Sequence, residues 1–185
     1  MTRHKCFVSF HRADHDSLVA FKQRFDDTHD SFIFRGQEMP EDIIQSSNDD
    51  YVMSRIRERF LKDSTVTIVL VGACTWSRKF VDWEVKASLA RPALGLANGL
   101  LAVVLNPARR TNPAPRLPER VRLNVESGYA TYHWYPSTSA ELAAWIEDAY
   151  IARTERWRLR TNPRARQASD EFCVRRAPIR LRRRA

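Results

Sequence analysis

Apolar residues in this chain recur at two spacings, and the alternation between them lays out the fold. Lys5 to Phe10 puts Cys6, Val8 and Phe10 on one side and Phe7 and Ser9 on the other. With both sides largely apolar, it reads as a central parallel strand. The polar loop His11 to Asp16 follows, with Asp14 or Asp16 as N-cap of a helix to about Phe25, whose inner face is Leu18, Phe21 and Phe25. Ser31 to Phe34 predicts a short second strand, and Arg35 to Asp50 a long polar loop. Val52, Ile56 and Phe60 form the buried stripe of a helix over Tyr51 to Lys62. The most apolar segment, Thr65 to Val71, is a third strand ending at Gly72. The pattern then predicts a helix from about Arg78 to Leu89, closed by Pro92 and Gly95, and a fourth strand over Leu100 to Leu105. Asn106 to Pro118 holds four prolines and reads as a loop. Val121 to Val125 and Tyr129 to Tyr135 are strand-like. Ser137 or Ser139 is placed to cap a last helix in which Leu142, Trp145, Ile146 and Ala149 share a face.

Strands alternating with helices of this length predict an α/β fold: a doubly wound, mainly parallel five-stranded sheet of flavodoxin-like order 2-1-3-4-5. The domain is expected over residues 1–152, with an Arg-rich C-terminal tail over residues 153–185.

Charge sharpens that boundary. The formal net charge is +9. Residues 1–152 carry 19 Lys and Arg against 19 Asp and Glu, so the body is neutral. Residues 153–185 carry 12 Arg against 3 acids, and 12 − 3 is the whole excess. The tail is therefore expected to be poorly ordered or ordered by a partner, and open to phosphates. Three widely spaced cysteines, Cys6, Cys74 and Cys173, set the expectation of a reducing, cytoplasmic setting rather than a disulfide framework. No apolar run reaches the ~18–20 residues needed to span a bilayer, and Met1 to Lys5 leads into no apolar leader segment.

Glu84 is the leading candidate for chemistry. It lies in the first turns of the helix after the third strand, beside Trp83 and one turn after Phe80. Open α/β sheets hold ligands at the carboxyl ends of their strands. A half-buried acid there can stabilise a cation or grip vicinal hydroxyls. The alternative is a solvated acid pairing with Lys86 or Arg91, with Trp83 in the core. The end of the first strand, Ser9, Phe10, His11 and Arg12, is expected to lie alongside, Ser9 and His11 as donors and Arg12 as a phosphate contact. The alternative is a plain strand-to-helix turn. Cys74 has no base beside it, and His11 with His15 shows no third metal ligand, so no metal site is expected. With five glycines, and neither GxGxxG nor GxxxxGK[ST] present, phosphate-loop binding is excluded.

The run Lys5-Cys6-Phe7-Val8-Ser9-Phe10-His11 resembles the opening strand of a TIR domain. Ser64 to Gly72, Thr75, and Arg78-Lys79-Phe80-Val81-Asp82-Trp83-Glu84-Val85 resemble the central block of TIR-like proteins of ThsB type from the Thoeris antiphage defence system. Leu100 to Leu105 is similar to that family's fourth strand, and the likeness covers roughly residues 4–150. The resemblance implies a TIR fold acting on NAD as substrate rather than as bound cofactor. It implies cleavage of the nicotinamide–ribose bond and release of an ADP-ribose-type signal, often cyclic, that activates a partner effector. It places the family's essential glutamate at Glu84. Ser9, Phe10, His11 and Arg12 would line the site, and Trp76 and Trp83 would shape or stack in it. Phe80 stands where such enzymes often carry tryptophan. A phage-derived trigger and a homo-oligomeric active form are implied as well. The rival readings are a non-catalytic TIR interaction module and a basic-tailed nucleic-acid sensor.

Overall fold

The side to which each strand residue points decides which helix covers it. The computed structural model describes residues 3–27, 32–35, 46, 48–90, 96–105 and 115–174. The expected loop at 36–45, the closing Pro92 and Gly95, most of the 106–118 loop and the last residues, 175–185, lie outside these, as does the Phe60 side chain. The strands are β1 (His4–Phe10), β2 (Phe32–Arg35), β3 (Val66–Val71), β4 (Gly99–Val104) and β5 (Thr131–Trp134). They form one sheet in the order β2-β1-β3-β4-β5, and every neighbouring pair is parallel.

The helices are α1 (His15–Lys22), α2 (Asp49–Ile56), α3 (Lys79–Leu89), α4 (Glu119–Glu126) and α5 (Ser139–Glu155). α1 runs on through a wider π-turn, Gln23–Asp27, and α2 through another, Arg57–Leu61. On one face of the sheet, Cys6 and Val8 of β1, Ile68 and Leu70 of β3, and Leu101 and Val103 of β4 pack against Leu18, Phe21 and Phe25 and against Leu142, Ile146 and Ala149. On the other face, Val69, Val71, Leu100, Ala102 and Val104 meet Val81, Val85 and Leu89 of α3 and Val121 of α4. Phe7 joins Val52, Ile56, Trp83 and Ala87 in a third cluster beneath α2 and α3. Burying each large side chain of this kind contributes ~1.5–3 kcal/mol. Gly99 lets α5 lie directly on β4: a Cβ there would meet the Ala149 carbonyl oxygen at 1.8 Å.

Four expectations are corrected. Val121 to Val125 is not a strand but the heart of α4. The two valines are four residues apart on the sheet-facing side, while Arg122 bonds Glu119 and Glu126 along the outer side. These i,i+3 and i,i+4 pairs favour helix. The cap of α5 is Thr138 rather than Ser137 or Ser139. Its hydroxyl accepts from the Glu141 N–H at 3.2 Å, and the Glu141 carboxylate accepts from the Thr138 N–H at 3.3 Å.

The third correction concerns the tail. α5 runs through the expected boundary at 152 to Glu155. After the short turn Trp157–Leu159, residues 160–174 return across α4 and the front of α3 as a strap. Asn124 holds the strap at Thr161, accepting from its N–H at 3.0 Å and donating to its carbonyl at 2.8 Å. Arginines read as solvated charge are structural here: Arg153 donates to the Ala97 carbonyl at 3.0 Å, and Arg156 makes a two-pronged pair with Asp148. Cys74 and Cys173 form a disulfide, against the expectation of unpaired cysteines.

Candidate active site

Ser9 shares a face of β1 with Phe7, because side chains alternate, and so it points toward α2 and α3. Phe10, one residue on, points to the opposite layer and packs against the α1–α5 cluster. The parallel register sets Ser9 beside Val69 and Phe10 beside Leu70. The loops leaving β1 and β3 are therefore adjacent. They are also locked together. Gly72 ends β3 against Asp14, and a Cβ on Gly72 would meet the Asp14 carboxylate at 2.2 Å. The Thr75 hydroxyl accepts from the Gly72 N–H at 2.8 Å and lies 3.4 Å from Asp14 Oδ2.

α3 begins after a short turn, Thr75–Ser77. Arg78 at its N-cap position provides no side-chain cap. The strap provides one instead: Asp170 accepts from the Lys79 N–H at 2.9 Å and from the Arg78 guanidinium at 3.0 Å. Along α3, Val81, Val85 and Leu89 face the sheet, while Trp83 and Ala87 face α2. Glu84 falls between these stripes and reaches back to β1. Ser9 donates to Glu84 Oε2 at 2.6 Å. Ser9 is fully buried and Glu84 is 8% exposed. Burial pushes the Glu84 carboxyl up from 4.5 to about 8, and the Ser9 hydrogen bond pulls in the other direction. Desolvation of a buried acid has this sign. At neutral pH the unliganded Glu84 therefore holds its proton.

Two residues earlier, Asp82 meets the opposite environment. Arg120, 1% exposed, grips it with Nε at 3.0 Å and Nη2 at 3.2 Å. Arg120 also donates to Asn162 Oδ1 and to the carbonyls of Arg164 and Ala165. The Gln167 N–H adds a third bond to Asp82 at 2.8 Å. One buried arginine thus joins α3, α4 and the strap.

Of the residues expected in the site, Ser9 is the one bonded to Glu84. His11 is half-buried at the head of the β1–α1 loop, where its carbonyl accepts from the Asp14 N–H at 2.7 Å. Arg12 is exposed on the same loop. Trp76 is half-buried, with the Arg116 guanidinium 3.1 Å from its ring centroid. Trp83 takes the core placement given above as the alternative. It is core, with its indole N–H on the Gln167 carbonyl at 2.7 Å, the Arg166 guanidinium 4.2 Å from its ring and Phe80 against it edge-on. Its ring is covered by this chain, so it is not an open stacking surface. Local pattern gave no signal for Asp82, Arg120, Gln167 or Asp170, whose partners across the fold lie 38 to 92 residues away in sequence.

A family model described as Thoeris protein ThsB, TIR-like domain, matches residues 7–110, more than half of the chain. No curated protein matches.

Proposed function

The chain belongs to the TIR-like family of Thoeris ThsB proteins, and from that premise we propose that it is an antiphage-defence enzyme that cleaves NAD at the nicotinamide–ribose bond. The product is an ADP-ribose-type signal, cyclic when an atom of the same molecule captures the ribose, and it activates a partner effector. The observation that carries this reading is the buried Ser9–Glu84 pair near the carboxyl end of β1, where β1 runs beside β3.

The chemistry follows from the charges. The nicotinamide–ribose bond breaks with its electron pair going to the cationic ring, so nicotinamide leaves neutral and the ribose becomes an oxocarbenium ion. A carboxylate beside that ribose stabilises the cation in a low-dielectric setting and accepts hydrogen bonds from the ribose hydroxyls. Glu84 is the acid for this role, and Ser9 fixes which oxygen it presents. The proton that Glu84 holds in the free protein leaves when the cationic substrate arrives, because a nearby positive charge favours the ionised acid. Water or an adenine or ribose atom then attacks the anomeric carbon, and a proton is released from the attacking group. Restricting water favours the internal attack. His11 and Arg12 border this region as candidate donors to the phosphates, and Trp76 as a stacking ring once Arg116 gives way. A phage-derived trigger, a homo-oligomeric active form and a cytoplasmic site of action complete the proposal. Among the described residues no helix is long and apolar enough to cross a membrane.

The test is direct. Purified full-length chain, alone and with lysate from phage-infected cells, is incubated with NAD, and nicotinamide and nucleotide products are followed by mass spectrometry. Turnover that falls on the order of 100-fold or more in Glu84→Gln supports the reading, a loss typical for removing one electrostatic stabiliser of the transition state. No NAD-derived product under either condition, or undiminished product from Glu84→Gln, overturns it.

A further inference from the structure

We propose that Cys74–Cys173 is a thiol–disulfide exchange site that pins the C-terminal strap across the front of α3 and so closes the Glu84 site. Its last step rests on the NAD-cleaving reading; the behaviour of the strap does not.

The disulfide joins the two parts of the chain that matter most for access. Cys74 sits in the β3–α3 loop between Gly72, which abuts Asp14, and Thr75. Cys173 lies at the far end of the described strap, 99 residues later in sequence. Between these ends the strap bonds the entry to α3 repeatedly. Gln167 donates from its side chain to the Ser77 carbonyl at 3.0 Å, and the Glu171 N–H donates to the same carbonyl at 2.9 Å. Asp170 caps the helix, and the Gln167 backbone holds both Asp82 and the Trp83 indole. Glu84 follows directly and is 8% exposed. A substrate with a flat ring and a ribose reaches that carboxyl only if the loop and the first turns of α3 shift. With the disulfide formed, the strap cannot leave them.

The two sulfurs differ in access. Cys74 is 1% exposed, whereas Cys173 is only half-buried, between the exposed Phe172 and Val174. A dithiol reductant therefore attacks at Cys173. Its thiolate bonds to Cys173 Sγ, and Cys74 leaves as a thiolate and takes up a proton. The second thiol of the reductant resolves the mixed disulfide and frees Cys173 as a thiol. Two electrons and two protons pass from the dithiol, which becomes a disulfide, to the protein. In reducing surroundings protein disulfides are commonly transient and redox-sensing, which fits a pair that fastens a strap. Reduction leaves the strap held by hydrogen bonds, ion pairs and the Arg166–Trp83 contact, with no covalent link, and it opens locally.

Full-length chain is equilibrated in dithiothreitol buffers of graded ratio, and its cysteines are alkylated under denaturing conditions and counted by mass spectrometry. Hydrogen exchange over residues 160–174 and NAD turnover are read on the same samples. The proposal expects Cys6 alone to be alkylated in the oxidised state and all three cysteines in the reduced state. It expects strap exchange on the order of tenfold faster on reduction, with turnover rising in step. Cys173→Ser should exchange rapidly without reductant, and Cys173→Ala should do the same. Alkylation of Cys74 and Cys173 under oxidant, or strap exchange equal in both states, overturns the proposal. A strap that loosens while measurable turnover stays constant overturns its control of the site. A strap that loosens with no NAD cleavage in either state, with or without lysate from phage-infected cells, upholds the exchange site and sinks the enzyme reading instead.

Discussion

Glu84→Gln should stabilise the protein while abolishing its activity, and the size of the gain should depend on pH in a defined way. The folded Glu84 carboxyl is raised from 4.5 to about 8 by burial. Between those values the folded chain keeps a proton that the unfolded chain has lost. Stability then falls as pH rises, by about 1.4 kcal/mol per pH unit for one such group. Across an interval of roughly 3.5 units the loss is about 5 kcal/mol, all of it present at and above pH 8 and none of it below 4.5. The amide introduced by Glu84→Gln would fill the same space, accept from Ser9 and never ionise. The difference in unfolding free energy, variant minus parent, should grow by about 3 kcal/mol between pH 5 and pH 7.5. With a urea slope of ~2 kcal/mol per M, the variant's midpoint should move up by about 1.5 M relative to the parent's over that range. Every other titrating group is common to both chains and cancels. The measurement is urea unfolding by circular dichroism at half-unit pH steps, with the disulfide kept in one state throughout. A difference that stays flat from pH 5 to pH 8 would refute the claim that Glu84 is a buried, proton-holding acid, and with it the argument that substrate displaces that proton.

The same ionisation predicts that kcat/KM for NAD rises up to about tenfold per pH unit toward a plateau near pH 8, since this profile reports the free enzyme; a profile flat from pH 6 to 8 would contradict it. Ser9→Ala removes a hydrogen bond that favours the ionised acid, so the profile should move to higher pH and activity at pH 7 should fall on the order of tenfold. Arg120→Met leaves Asp82 buried without its cation and should cost about 3–5 kcal/mol, whereas the double change with Asp82→Leu should recover much of it, as read from thermal unfolding. Thr138→Ala dissolves the capping box and should cost about 1 kcal/mol with no change in the pH dependence of turnover.

The layering of this protein was legible because it depends on local periodicity. Cys6, Val8, Ile68 and Leu70 fall on one face and Phe7, Val69 and Val71 on the other, and two-residue alternation requires this once the strands are placed. Placing Ser9 near Glu84 needed only the strand order, since β1 and β3 are neighbours in a sheet wound this way. Val121 to Val125 misled because β-branched residues raise strand propensity, while the ion pairs that decide for helix involve Glu119 and Glu126 just outside the apolar run. The strap was illegible for a different reason. Its composition is that of a solvated segment, and it has little apolar periodicity of its own. Its order comes from hydrogen bonds to groups left over at the ends of other elements: the uncapped start of α3, the Ser77 carbonyl and the third edge of the Asp82 carboxylate. Such sites exist only after the body has folded.

That dependence bears on why one helix carries two buried acids with opposite solutions. Asp82 and Glu84 are two residues apart, so on a helix they point some 200° from each other. Asp82 faces α4 and the strap, where a guanidinium and a backbone N–H neutralise it. Glu84 faces β1, where a single hydroxyl meets it and, among the described residues, no cation does. The first arrangement is complete and has nothing to offer a ligand. The second is incomplete, and a cation would complete it. A proton fills that role in the free protein at neutral pH, and a cationic ribosyl group can take its place. The structural acid thus holds α3 in position through Arg120, while the acid facing β1 keeps an unspent electrostatic preference for positive charge. Removing Arg120 should therefore loosen the strap and lower stability without creating a need for charge at Glu84, whereas replacing Glu84 should leave the strap's hydrogen-exchange protection unchanged.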